Sequence, residues 1–68
     1  MMTFTRRGEE FEAYSDRQQS IFGIIAVLDD GYFEFIPSAE CLSIRYAELQ
    51  SIAVKLASLN TGRHPRHD

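Results

Sequence analysis

One cysteine and two histidines are the residues of this 68-residue chain best suited to nucleophilic or metal chemistry. Cys41 lies just before a predicted helix, where amide donors and the helix dipole can activate a thiol as a nucleophile. A cysteine nucleophile also needs a base, and both His64 and His67 lie beyond the predicted folded body. We therefore predict that Cys41 is a small, partly buried structural thiol.

The C-terminal segment 63–68 brings His64, His67 and Asp68 close together, a set that can bind a divalent metal when it is ordered. Pro65 lies between the histidines and breaks the helical spacing that would align them. The segment also lacks apolar anchors. We therefore predict a flexible tail, no metal site and no cofactor.

The clustered carboxylates have structural explanations. Asp29 and Asp30 precede Gly31 at a predicted hairpin tip, where turn chemistry accounts for them. The glutamates of segment 9–12 lie on the solvent-exposed side of a predicted edge strand, where charge discourages edge-to-edge aggregation. The chain also has no glycine-rich phosphate loop and no acid–base pair in a predicted pocket, so we predict that the protein is not an enzyme.

Composition indicates one small folded domain. Hydrophobic residues make up 44% of the chain and charged residues 25%, close to ordinary globular usage. A core of this size leaves little margin against conformational entropy, and a single cysteine cannot form an internal disulfide. We therefore expect support from a partner and predict a homodimer.

No feature of the sequence indicates a membrane or a secretory route. The N-terminus has no apolar signal-peptide region, and the longest apolar run, 21–28, is far shorter than the roughly 20 residues that span a bilayer. The formal net charge of -3 is mild and the acidic residues are scattered, so charge alone does not identify a partner. We expect a cytoplasmic protein.

Alternation and β-branched residues predict three strands. Residues 9–14 alternate polar and apolar side chains, which is typical of a half-exposed edge strand. Residues 21–28 are apolar on both faces, as in a central strand, and residues 32–36 form the third strand. Asp30-Gly31 is typical of a two-residue type I′ turn and predicts a hairpin between the second and third strands.

A two-residue turn would pair Leu28 with Phe33 and Ala26 with Phe35, so that these side chains line the core together with Phe22 and Ile24. The opposite face then carries the predicted partner or dimer surface: Ile25, Val27, Tyr32, Glu34 and Ile36. A three-residue loop with a bulge would change this register, and that alternative stays open.

The C-terminal half predicts one helix, after Pro37 ends the third strand. Ser43 is the predicted N-cap, and residues 60–62 provide a stop. Apolar residues at helical spacing form the predicted core stripe: Leu49, Ile52, Ala53, Leu56 and Leu59. The predicted outer side carries Arg45, Glu48, Ser51, Lys55 and Ser58. The predicted fold is therefore α+β, a three-stranded antiparallel β-meander packed against one C-terminal α-helix (βββα), with a single domain over 1–62 and a flexible tail over 63–68.

The apolar face opposite the core needs cover, because monomeric domains rarely expose such a patch. The candidates are a second copy of the chain, the N-terminal segment with Met2 and Phe4, and a target protein. Nucleic acid is a separate alternative, since four terminal arginines form a basic patch if the termini meet: Arg6, Arg7, Arg63 and Arg66.

The stretch 31–37 (GYFEFIP), followed by Leu42-Ser43 and the segment 48–60 (ELQSIAVKLASLN), resembles the strand, crossing and helix of many small phage or prophage accessory proteins. Such proteins commonly bind a host protein and inhibit or redirect it, as anti-CRISPR and other anti-defence proteins do. The resemblance carries no catalytic motif. It implies a non-catalytic protein-binding module, a phage-type inhibitor or modulator of a host macromolecular complex. The alternative is a nucleic-acid-binding accessory protein that uses the terminal arginines.

Overall fold

Four antiparallel strands and one helix make up the computed structural model, which describes residues 2–39, 41 and 43–62. The elements are β1 (Met2–Arg7), β2 (Glu10–Ser15), β3 (Ser20–Val27), β4 (Phe33–Pro37) and α1 (Tyr46–Asn60). The strands form a meander in the order β1-β2-β3-β4, and α1 packs on one face of it. The predicted α+β class, with the helix after the sheet, is confirmed. The predicted tail, 63–68, lies outside the described residues.

The prediction of three strands is wrong, because Met2–Arg7 adds a fourth. Met2 and Phe4 alternate with β-branched threonines and pack in the core under α1. The two-residue turn Gly8-Glu9 joins β1 to β2, and the φ of 64° at Gly8 suits a type II′ hairpin. The N-terminal segment, one of the candidates to cover the second face of the sheet, instead forms one edge of it.

Strand β3 lies between β2 and β4 and carries a bulge. Ala13 pairs with Gly23 and Tyr14 with Ile21, so Phe22 is the extra residue. The bulge turns the Phe22 ring into the core, where it is fully buried. Gly23 lies where the backbone of β4 comes closest, and a β-carbon there would overlap a carbonyl oxygen of β4.

The predicted hairpin between β3 and β4 is confirmed, but its register is wrong by one residue. Val27, rather than Leu28, pairs with Phe33, because the connection has the five residues 28–32. Within it, the Gly31 N–H donates to the Leu28 carbonyl oxygen (2.9 Å), and the Leu28 N–H donates to that of Tyr32 (3.0 Å). A one-residue shift turns the side chains of a strand to the other face. Ile25 and Val27 therefore face α1 and Ile24 faces away from it, contrary to the prediction, whereas the bulge keeps Phe22 in the core as predicted.

Helix α1 begins later than predicted. Arg45 occupies the N-cap position, so the predicted N-cap at Ser43 is wrong. The Glu48 carboxylate accepts a hydrogen bond from the Arg45 N–H (2.9 Å), which is half of a capping box. An arginine side chain has no acceptor for the reciprocal bond. The helix ends at Asn60, where the sequence predicted a stop.

The helix turns a different line of residues toward the sheet than the pattern predicted. The buried and half-buried residues of this line are Glu48, Ile52, Leu56 and Leu59. Leu49 and Ala53, predicted in the core stripe, are exposed, and half of the Leu49 surface (50%) is accessible to solvent. The predicted outer position of Glu48 is wrong, because polar groups of the sheet bind its carboxylate.

The core lies between α1 and the sheet. Its buried centre consists of Met2, Ala13, Phe22 and Ile52, and the half-buried residues packed on it are Phe4, Phe35, Cys41, Ile44 and Leu56. All five elements contribute at least one of these side chains, so the helix and every strand depend on the same cluster. Within the described residues, no helix has the length and apolarity needed to cross a bilayer.

Candidate functional site

A buried carboxylate joins α1 to the turn between β2 and β3. Glu48 is only 5% exposed. Its Oε2 accepts hydrogen bonds from Ser15 Oγ (2.8 Å) and Arg17 Nε (3.1 Å). Its Oε1 accepts from Arg17 Nη2 (2.7 Å) and from the Arg45 N–H (2.9 Å). We call these four residues the Glu48 network.

Hydrogen bonding sets the charge of the Glu48 network. The hydrogen bond from Arg17, helped by those from Arg45 and Ser15, outweighs burial and lowers the pKa of Glu48 from 4.5 to about 2. The pKa of Arg17 is raised, chiefly by the same hydrogen bond to Glu48. At neutral pH both side chains are therefore charged and bonded to each other. We interpret the network as a structural clamp, since a general acid or base needs a pKa near the working pH.

The sequence offered one signal for this network. Glu48 lies at the third helical position, where a glutamate can accept from the N-cap N–H. Ser15 and Arg17, however, are 33 and 31 residues away from Glu48 along the chain. No local pattern links such distant residues, so only the folded structure reveals the clamp.

The candidate reactive groups lie apart from one another. Cys41 is half-buried and packs against the core. Asp29 and Asp30 are exposed, and Asp30 Oδ1 accepts a hydrogen bond from the Tyr32 N–H (3.0 Å). Both histidines lie outside the described residues. In the part of the chain that the structure describes, no three His, Cys, Asp or Glu side chains are grouped to hold a metal ion.

The residues predicted to form one partner surface are divided between two sides of the sheet. Ile25 is fully buried on the α1 side, and Val27, on the same side, is 38% exposed. Tyr32 is half-buried in the connection between β3 and β4. Glu34 and Ile36 lie on the side away from α1, because they pair with residues of β3 that face that way. The one-residue register shift is the reason for this division.

We call the side of the sheet away from α1 the outer face. Cross-strand pairs bring four side chains together on it: Tyr14, Ile21, Ile24 and Ile36. Ile21 and Ile36 are each 42% exposed. Three carboxylates lie on the same face: Glu10, Glu12 and Glu34. Arg7 forms an ion pair with Glu12 (3.2 Å). The outer face is thus apolar toward the turn between β2 and β3 and acidic toward the opposite end.

The β4 edge of the sheet is closed by the end of α1. Asn60 Oδ1 accepts a hydrogen bond from the Phe33 N–H (2.8 Å), and Asn60 Nδ2 donates to the Phe33 carbonyl oxygen (3.1 Å). The side-chain amide therefore takes the place of a neighbouring strand. Pro37, near the other end of β4, has no N–H to offer. A further strand cannot pair along the whole of this edge.

Within the described residues, no strand pairs with the outer edge of β1. The two-residue turn makes Arg7 and Glu10 a hydrogen-bonded pair, and such pairs alternate along an antiparallel ladder. Thr3, Thr5 and Arg7 therefore bond to β2. The N–H and carbonyl groups of Phe4 and Arg6 point away from the sheet.

A groove runs between β1 and α1. Its lining includes Met2, Phe4, Ala47, Ser51, Val54 and Lys55. Val54 is 69% exposed. Lys55 Nζ lies over the ring of Phe11, 4.6 Å from its centroid, and 6.0 Å from the centroid of Phe4. We call this feature the β1 groove. It presents apolar surface and one positive charge beside the open edge.

The structure describes two of the four terminal arginines. Arg7 is paired with Glu12, and Arg6 Nε donates a hydrogen bond to the Gly8 carbonyl oxygen (2.9 Å). Arg63 and Arg66 lie outside the described residues. The basic patch predicted from the four arginines therefore stays a prediction.

Comparison of the chain with protein-family models, with curated proteins and with solved structures gives no match.

Proposed function

We propose that the chain is a non-catalytic protein-binding module that docks on a partner protein through the outer face. One observation carries this proposal: Ile21 and Ile36, each 42% exposed, lie beside the half-buried Ile24 and Tyr14 on one sheet surface. Contiguous apolar side chains rimmed by polar residues are typical of interaction sites. Docking would remove this apolar surface from water.

The charges of the outer face define the chemistry of the partner. Among the described residues, Glu10, Glu12 and Glu34 share the outer face with one cation, Arg7, which is already paired with Glu12. A partner surface that is apolar at its centre and basic on one side complements this distribution. Two copies meeting through the outer face would place carboxylates against carboxylates or against isoleucines, which favours a different protein. Basic surfaces are common on proteins that bind nucleic acid. The proposal therefore extends to a phage-type inhibitor or modulator of a host complex that binds nucleic acid.

The size of the outer face limits the strength of this contact. Strands about 4.8 Å apart, with a rise of about 3.3 Å per residue, give a four-stranded face of roughly 400 Å². A standard stable interface buries about 800 Å² on each partner. The outer face by itself therefore supports a weak complex, and a tight complex would also use an adjoining surface.

A capture experiment with matched variants tests the proposal. The double variant Ile21→Thr/Ile36→Thr removes apolar surface and keeps β-branched side chains, so the strands retain their propensity. Leu49→Gln is the matched control, because Leu49 is 50% exposed on α1. The tagged full chain and both variants are incubated with bacterial lysate, with and without nuclease, and retained proteins are identified by mass spectrometry.

We expect the parent chain and Leu49→Gln to retain a stoichiometric, nuclease-resistant protein that the double variant does not retain. Equal retention by the double variant would contradict docking through the outer face. Recovery of nucleic acid alone, with binding that weakens steeply as salt rises, would support the alternative based on the arginines. A dimer of the parent chain that the double variant abolishes in analytical ultracentrifugation would assign the outer face to a second copy.

A further inference from the structure

The open edge of β1 is the surface that adjoins the outer face. Phe4 and Arg6 each direct an N–H and a carbonyl group away from β2, and no backbone group in the described residues pairs with them. These groups recur every second residue, about 6.6 Å apart, which is the spacing that an additional strand requires. Edges of this kind bind extended peptides by main-chain hydrogen bonds.

The β1 groove supplies what such an edge needs for selectivity. Side chains of an added strand would alternate between the outer face and the α1 side. Those on the α1 side would enter the groove, against Met2, Phe4 and the 69% exposed Val54. Small residues of α1, Ala47 and Ser51, leave room for them. The edge and the groove therefore match one extended segment with apolar residues at alternate positions.

The positive charges beside the β1 edge favour a segment of another protein over a second copy of this chain. Lys55 lies in the groove and Arg6 on the strand, and neither forms an ion pair with a described residue. Two copies that paired through β1 would bring both sets of cations together, at an electrostatic cost. An acidic side chain in the added strand would instead neutralise them. The occupant is therefore a segment of a different protein.

We propose that β1 binds an extended segment of the partner as a fifth strand, with apolar side chains in the β1 groove and an acidic side chain near Lys55 and Arg6. This inference rests on the proposed protein-binding function but concerns a separate surface. It also supplies contact area that the outer face alone lacks. At the β4 edge, by contrast, Asn60 binds the backbone of Phe33 and Pro37 has no N–H, so less of that edge is available to an added strand.

Selection from a library of random linear peptides, displayed and panned against the full chain, tests the inference. We expect the selected sequences to alternate apolar residues and to carry at least one Asp or Glu. A synthetic copy of one selected peptide is then titrated against the full chain by calorimetry and by amide NMR. Bound peptide should slow hydrogen exchange at the Phe4 and Arg6 amides, because these groups become hydrogen-bonded in the complex.

Two substitutions at one position separate the backbone contribution from the charge. Arg6→Pro removes an outward N–H, which an edge strand tolerates, and we expect it to weaken peptide binding by about ten-fold or more. Arg6→Thr keeps the N–H and removes only the charge, so a loss of about three-fold is expected. If Arg6→Pro fails to fold, the same loss should appear when the peptide is N-methylated at the amides facing β1 and is tested on the parent chain.

The outcomes separate this inference from the proposed function. A selected peptide should bind Ile21→Thr/Ile36→Thr as tightly as the parent chain, because that variant leaves β1 unchanged. Peptides that shift the amides of the outer face, or that bind Arg6→Pro and N-methylated forms undiminished, would overturn strand addition at β1. A library that yields no binder at β1 would overturn it too. Each of these results leaves the lysate experiment on the outer face to be judged by itself.

Discussion

The two edges of the sheet have opposite chemistry. At β4, the Asn60 amide binds both backbone groups of Phe33, and Pro37 has no N–H. At β1, Phe4 and Arg6 direct their backbone groups away from β2. Proteins block edge strands that would otherwise pair with other chains. One edge is therefore bonded by a side chain from the end of α1, whereas the described residues beside the other edge present the positive charges of Arg6 and Lys55.

The helix is also attached to the sheet differently on the β4 side and on the β1 side. The Glu48 network ties the start of α1 to the turn between β2 and β3, and the Asn60 amide ties its end to β4. On the β1 side, the β1 groove lies between the helix and the sheet. The hydrogen bonds that attach the helix are thus made to the turn between β2 and β3 and to β4, whereas the β1 side carries the groove.

The largest effect is expected at Gly23, on the β4 side. In Gly23→Ala the new β-carbon would overlap the carbonyl oxygen of Ile36 and lie 2.8 Å from the α-carbon of Pro37, so β3 and β4 could not keep their spacing. We expect the free energy of unfolding, measured with urea, to fall by about 3 kcal/mol or more.

Gly8→Ala is the matched control on the β1 side. Apart from its chain neighbours, no described atom lies within 4 Å of the added β-carbon, and only the φ of 64° is unfavourable, which costs about 1–2 kcal/mol. Equal losses for Gly8→Ala and Gly23→Ala would contradict the close approach of β3 and β4.

Glu48→Ala should give the next largest loss. It leaves the Ser15 hydroxyl buried without its acceptor and removes the ion pair to Arg17 and the bond to the Arg45 N–H. We expect the free energy of unfolding to fall by about 3 kcal/mol, and urea denaturation at neutral pH measures it. Gln50→Ala, on the exposed side of α1, should change it by less than about 0.5 kcal/mol. A loss at Glu48 no greater than at Gln50 would show that the network is not a clamp.

The pH dependence of stability follows from the same carboxylate. Because folding lowers the pKa of Glu48 from 4.5 to about 2, the unfolded chain takes up this proton first as the pH falls. The stabilisation is complete above pH 4.5 and is lost as the pH falls toward 2. The parent chain should therefore lose more stability over this range than Glu48→Gln does, in urea denaturation at a series of pH values. Parallel curves would contradict the lowered pKa.

Asn60→Ala should have a moderate effect on stability and should open the β4 edge. The loss of two hydrogen bonds to Phe33 is expected to lower the free energy of unfolding by about 1–2 kcal/mol. The exposed edge should then make the chain self-associate as its concentration rises, which sedimentation velocity detects. Asn60→Asp keeps the acceptor and loses the donor, so its stability should lie in between. A variant that stays monomeric would show that Asn60 does not protect the edge.

The smallest effect is expected for Arg7→Ala, on the β1 side. The ion pair between Arg7 and Glu12 (3.2 Å) is exposed to solvent, with 65% of the arginine side chain accessible. Such pairs contribute about 0.2–1 kcal/mol, so urea denaturation should show a loss in that range that shrinks as salt is added. A loss as large as that of Asn60→Ala would mean that the two sides of the sheet are stabilised alike.

Local signals predicted the features that have a local cause. Asp30-Gly31 marked the hairpin, and residues 60–62 marked the end of the helix. Strand β1 also has a local signal, since apolar residues alternate with threonines before Gly8. The predicted core stripe of the helix correctly included Ile52 and Leu56. The same pattern wrongly assigned Leu49 to the core and Glu48 to the outer side. A hydrophobic pattern scores a glutamate as a surface residue unless its partners are known.

The sequence alone therefore indicated the class of fold, the connections between β2 and β3 and between β3 and β4, and the end of the helix, because these follow from backbone preferences over a few residues. The tertiary structure decided which faces the side chains occupy. A five-residue connection instead of a two-residue turn moved the register by one position and turned Ile25 and Val27 toward the helix. It also decided that Glu48 is buried and that Asn60 seals β4. Each of these depends on a partner 27 to 33 residues away, and only folding brings such groups within hydrogen-bonding distance.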